Sequence, residues 1–100
     1  MKNGRPEGLR HLVLMNDYGC GMPLWSWGGP VSDPVAELGT SAGLSQQLLD
    51  WQQFFDAHLD PLSGWDEPAN ATRQRKHGRY LHRMLEAELP DCEIRSDNRP

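Results

Sequence analysis

Ser41-Ala42-Gly43-Leu44-Ser45-Gln46-Gln47-Leu48-Leu49-Asp50-Trp51-Gln52-Gln53-Phe54-Phe55-Asp56-Ala57-His58-Leu59-Asp60-Pro61-Leu62 is the stretch whose reading decides the fold. Leu44, Leu48, Trp51, Phe55, His58, Leu59 and Leu62 recur at steps of three and four, the spacing that gathers side chains on one face of a helix. Leu49 and Phe54 widen this stripe, and glutamines and aspartates fill the remaining surface. Ser41 is placed to cap the first turn, because its hydroxyl can accept from an amide that has no partner within the helix. Pro61, followed by Ser63-Gly64, marks the end. This helix is expected to carry most of the core.

Downstream, Asp66-Glu67-Pro68 opens a second helix, with Asp66 as the expected cap and proline tolerated in the first turn. It is expected to run to about Leu89, stopped by Pro90. Its apolar residues come late (Tyr80, Leu81, Met84, Leu85, Leu89), whereas Asn70 to Arg79 is polar and basic. Gly78 in its middle costs about 1 kcal/mol relative to alanine, so a close approach of another segment is expected there. Upstream, Leu12-Val13-Leu14-Met15 reads as a buried strand turning at Asn16-Asp17-Tyr18-Gly19. Pro23 to Trp27 suits a short second strand ended by Gly28-Gly29-Pro30, with Trp25 and Trp27 as a lid over the open sheet face. Cys92 to Ser96 alternates as a half-buried strand does.

The expected fold is α+β: a small two- or three-stranded sheet packed against two helices in the order β-(β)-α-α-β. The C-terminal strand pairs beside the first. Residues 1–10 form a flexible segment, 11–97 the domain and 98–100 a tail. So small a sheet leaves an edge that invites another strand or a second copy, making a homodimer one expected assembly.

The chain has 100 residues, 37% of them hydrophobic, with 10 glycines and 8 prolines, which suits one modest core carrying long loops. Four tryptophans argue against disorder. No apolar run approaches the roughly 20 residues of a membrane span, and the polar start does not resemble a signal peptide. Cys20 and Cys92 are too few for a disulfide framework, so reduced thiols in a cytoplasmic protein are expected.

The formal net charge of −4 conceals an asymmetry. Between His11 and Thr72 there is no lysine or arginine, but eight acids: Asp17, Asp33, Glu37, Asp50, Asp56, Asp60, Asp66 and Glu67. Between Arg73 and Arg83 there are five bases, Arg73, Arg75, Lys76, Arg79 and Arg83, and no acid. The simplest reading is that the two helices attract one another, and the other is that each charged surface steers a partner.

Cys20, between glycines at a strand end, stands where nucleophiles sit, with His11, His58, His77 and His82 as possible bases. None of these falls in a cysteine-hydrolase signature, and tight turns use the same glycines. No CxxC or HxxxH spacing is present, so neither a metal nor another cofactor is expected. Lys76, Arg79 and Arg83 share a helical stripe that could contact phosphates, which supports a nucleic-acid-binding regulator as the alternative reading. Overall acidity opposes it. Protein recognition fits more of the chain: Asp17, Tyr18, Trp25, Trp27, Asp33, Glu37 and Trp65 supply acids and aromatics of the kind enriched at interfaces.

Asp17-Tyr18-Gly19, then Pro23-Leu24-Trp25, then a leucine-rich helix with Trp51 and Phe55, resembles a group of small uncharacterised actinobacterial single-domain proteins with a DYG…PLW motif. The resemblance spans roughly Leu12 to Ile94 and implies the same strand, two-helix, strand order; it carries over no activity and no catalytic residue. Some small proteins of this kind are immunity proteins or antitoxins. The function expected is therefore a non-enzymatic protein-binding module, immunity- or antitoxin-like, that recognises a basic protein through an acidic, tryptophan-containing face.

Overall fold

The computed structural model describes residues 5–97, and the expected tail at 98–100 and the first four residues lie outside them. The main sheet has four strands in the order β3-β2-β1-β6: β1 (His11–Met15), β2 (Leu24–Ser26), β3 (Gly29–Pro30) and β6 (Glu93–Asp97). β1 runs antiparallel to β2 and parallel to β6, with Leu12 opposite both Ser26 and Ile94. The helices are α1 (Pro34–Leu38), α2 (Ala42–His58) and α3 (Pro68–Glu88), and a two-stranded ribbon of β4 (Leu59–Asp60) and β5 (Gly64–Trp65) joins the last two. Before β1, Glu7–Leu9 form a 3-10 helix, and Arg5 Nη1 donates to Leu38 O at 2.6 Å while its guanidinium forks onto Asp91.

The α+β class and the pairing of the last strand beside the first match the sequence reading, and the structure makes that pairing parallel. The sheet gains its fourth strand because Gly29, at φ +126°, folds the chain back so that Pro30 pairs with Trp25. The additional helix α1 is closed by Asp33 Oδ1, which accepts from Ala36 N (3.2 Å), while Glu37 Oε2 reaches back to Asp33 N (2.8 Å). Two amides at the start of the helix are thereby answered by side chains, the reciprocal logic of a capping box with the acid one position later.

Alternation along β1 sends Leu12 and Leu14 inward, where they meet Leu24, Ile94, Leu44, Leu48, Trp51, Leu81 and Leu85. His11, Val13 and Met15 therefore line the opposite face together with Trp25. Ser41 caps α2 as expected, its hydroxyl accepting from Leu44 N at 3.1 Å. The helix ends at His58 rather than Pro61, because Leu59 turns into the ribbon, and Leu62, expected in the stripe, is 96% exposed. Glu67, not Asp66, is the residue before α3, since Pro68 occupies the first turn.

Two glutamines are buried, the first of them expected at the surface of its helix. Gln52 is 1% and Gln74 5% exposed. Gln74 Nε2 donates to Trp51 O (3.0 Å) and Asn16 Oδ1 (2.9 Å), and Asn16 Nδ2 donates to Gln52 Oε1 (2.9 Å). Burial is tolerated because these amides are answered inside the protein.

Gly78 has the close neighbour its position implies: a Cβ there would lie 2.8 Å from Trp51 Cζ2. The Trp51 ring cannot retreat, since its Nε1–H donates to Gln74 O at 2.9 Å. Gly78→Ala gains helix propensity worth about 1 kcal/mol. Overpacking against a rigid ring and disturbing its hydrogen bond cost more, leaving a net loss of about 1–2 kcal/mol. Thermal unfolding should show Tm lowered by roughly 5–10 °C, and an unchanged or raised Tm would refute the close packing.

Candidate partner-binding surface

Gln52 builds one end of the molecule from within. Its Nε2 donates both to Asp17 O (2.8 Å) and to Asp56 Oδ1 (3.0 Å), tying the loop after β1 to the last turns of α2. In that loop Asp17 Oδ1 accepts from Tyr18 N at 2.8 Å, and Gly19 takes φ +73°, a conformation that favours glycine. Tyr18, 48% exposed, leans on buried Phe55 with ring centroids 5.2 Å apart. Trp65 meets the same Phe55 edge-on at 6.1 Å.

Acids surround this aromatic row. Asp60 accepts from Leu62 N and Ser63 N (2.8 and 3.1 Å), which hold its carboxyl below the usual range. Asp66 is lowered likewise, chiefly by Asn70 Nδ2 at 2.9 Å and then by His58 Nδ1 at 2.7 Å. Both are therefore ionised at neutral pH. Among the described residues no lysine or arginine pairs with Asp17, Asp56, Asp60 or Asp66.

A groove of about 450 Å³ adjoins this end, lined by Cys20, Met22, Trp25, Pro30, Val31 and Leu49. Trp25 forms its wall, fixed by Nε1–H donating to Met15 O at 3.0 Å. Burial pushes the Cys20 thiol up; a hydrogen bond with the Asp17 backbone partly opposes the rise, and the Asp56 carboxylate adds to it. Nucleophilic cysteines need the opposite shift. Asp33 and Glu37, acids expected at a partner face, are engaged in the α1 cap.

Trp27 stands apart. It is 68% exposed, but its indole stacks on the His11 imidazole at 3.9 Å with planes 3° apart. His11 Nε2 faces Glu7 at 2.8 Å and Nδ1 faces Glu93 at 2.9 Å. Two carboxylates on the two ring nitrogens favour the doubly protonated ring, so the His11 pKa rises, with Glu7 the larger cause.

The five bases of the alternative reading divide. Arg73 lies over the Phe54 ring, 4.7 Å from its centroid, and Arg75 Nη2 donates to Thr72 Oγ1 at 3.4 Å. Lys76, Arg79 and Arg83 are exposed on α3, and Arg79 and Arg83 line a groove of about 260 Å³ with His82 and Ser96. No ion pair within 4 Å joins acids of α2 to lysines or arginines of α3 among the described residues, so direct bridges between the two helices do not account for the charge split.

A family model described as Serratia CdiI immunity protein-like matches residues 10–95. The chain belongs to this family. The matched span takes in all three helices and every strand except the last two residues of β6. A search of curated proteins gave no match. Membership makes the chain an immunity-like protein-binding module, of a kind generally without enzymatic activity. No described helix is long and apolar enough to cross a membrane, and no three described metal-ligating side chains converge.

Of the candidate residues, Asp17, Tyr18 and Trp65 come together, Trp25 borders them in the groove, and Trp27, Asp33 and Glu37 lie elsewhere. Asp56, Asp60 and Asp66, which the sequence presents only as members of the eight-acid stretch, join the acidic end. Asp56 sits four residues after Gln52 and directly beside Phe55, a placement that α2's periodicity already contains.

Titrating His11 by NMR should give a midpoint above the ordinary 6.5. The raised folded value makes the clasp fully present below 6.5 and lost as pH rises through that midpoint. Glu7→Gln should lower the midpoint most, and Trp27 fluorescence should follow the same curve. A midpoint at or below 6.5 would refute the double clasp. Cys20 should alkylate more slowly than free cysteine at neutral pH, and faster reaction would reveal an activated thiol.

Proposed function

We propose that this chain is an immunity protein that binds a basic protein toxin through the acidic end built on Gln52. The family match supports a protein partner. The observation that carries the choice of surface is the row Tyr18–Phe55–Trp65 flanked by Asp17, Asp56, Asp60 and Asp66, with no lysine or arginine paired to them among the described residues. Aromatic side chains provide contact area that desolvates well, and a surplus of carboxylates accelerates encounter with a cationic surface. Trp25 and its groove extend the contact beyond the acids. Such a protein acts by occupying its target, and its task is complete when the toxin's working surface is covered.

The immobilised chain, offered a native lysate at low salt, should retain a basic protein that high salt releases. Asp17→Lys combined with Asp56→Lys should abolish that retention while the fold, read by circular dichroism, persists. Absence of any partner at low salt, or retention indifferent to both salt and charge reversal, would count against the acidic end as the binding surface.

A further inference from the structure

β6 is an edge strand, with β1 on one side and, among the described residues, no strand on the other. Glu93 N donates to Arg10 O at 2.6 Å, so Glu93 addresses β1. In a parallel pair alternate residues turn both backbone groups toward the same neighbour. Arg95 and Asp97 therefore address β1 as well, and Ile94 and Ser96 present their N–H and C=O outward. No described group bonds these outward N–H and C=O groups. They form a ready template for one more strand.

The groove beside this edge is basic. Arg79 and Arg83 of α3 line it with His82 and Ser96, and His82 Nδ1 is hydrogen-bonded to Ser96 Oγ. Glu86 answers His82 at 3.3 Å, leaving both guanidiniums without an ion pair or hydrogen bond among the described residues. Lys76 continues the row one turn earlier.

We propose that the β6 edge and this groove capture an extended acidic segment of a protein partner, added as a fifth strand to the sheet. The spacing supports this occupant. Four residues of helix separate Arg79 from Arg83 by about 6 Å along the axis. Same-side residues of a strand are about 6.6–6.8 Å apart, so carboxylates at alternate positions meet successive guanidiniums. The backbone ladder supplies affinity and the arginine pair selects acidic side chains. A second copy of this chain fits poorly. Twofold pairing of two β6 edges sets both α3 helices on one face of the continuous sheet, where the two basic rows confront each other. The phosphate backbone of a nucleic acid would leave the outward carbonyls of Ile94 and Ser96 unanswered, because phosphates only accept. This surface is separate from the acidic end, and neither depends on the other.

NMR of the ¹⁵N-labelled full chain tests this with a peptide of alternating threonine and glutamate. Saturable shifts are expected at the Ile94 and Ser96 amides and the Arg79 and Arg83 side chains, with none from an alternating threonine–lysine peptide. Arg79→Glu with Arg83→Glu should weaken binding at least about tenfold. Asp17→Lys with Asp56→Lys should leave it unchanged, which separates this site from the acidic end. The inference is overturned if shifts are absent at about 1 mM peptide, or if they survive the arginine substitutions. It is overturned equally if a single-stranded oligonucleotide binds the same row more tightly, or if the edge amides shift with protein concentration alone.

Discussion

The Trp51 indole, held against the bare backbone of Gly78, sets the distance between α2 and α3, and most of the architecture follows from that contact. Its Nε1–H is fixed on Gln74 O, Gln74 returns a bond to Trp51 O, and the chain of amides continues through Asn16 to Gln52. Buried polar groups so connected hold a single arrangement, because moving one strands the next without a partner. The network also reaches the surface: Gln52 positions the backbone of Asp17 and the carboxylate of Asp56. The acidic end is thus set from the interior rather than by a mobile loop.

The charge pattern has a similar logic. The acids near Tyr18 and Trp65 and the bases of α3 remain apart, with no bridge between α2 and α3 to cancel them among the described residues. A chain whose opposite charges do not neutralise one another keeps a directional field. Directional fields orient an incoming partner before contact, and salt weakens them.

Much of this frame was legible in the sequence. The Leu44–Phe55 stripe, the Ser41 cap, the pairing of first and last strands and the tight approach at Gly78 follow from periodicity, cap chemistry and glycine's cost. The ribbon at Leu59–Trp65 was not legible, because two-residue strands leave no period to read. Helix α1 lay hidden in a glycine- and proline-rich run, although Asp33 and Glu37 carry its cap signature. Gln52 and Gln74 looked like surface residues, since nothing local announces that a distant amide will satisfy them. For the same reason the site was only partly readable: Asp17, Tyr18 and Trp65 meet through Phe55 and Gln52, contacts that belong to the tertiary structure.

The parallel join of β1 and β6 places His11 opposite Glu93, 82 positions along the chain. Local helix contacts can form early, but pairing across so long a loop is slow and comes late in folding. During synthesis, β1 must wait on the ribosome for residues 93–97 before its second edge is covered. The four-stranded sheet is accordingly completed only after nearly all of this span has been translated, a delay written into the strand order itself.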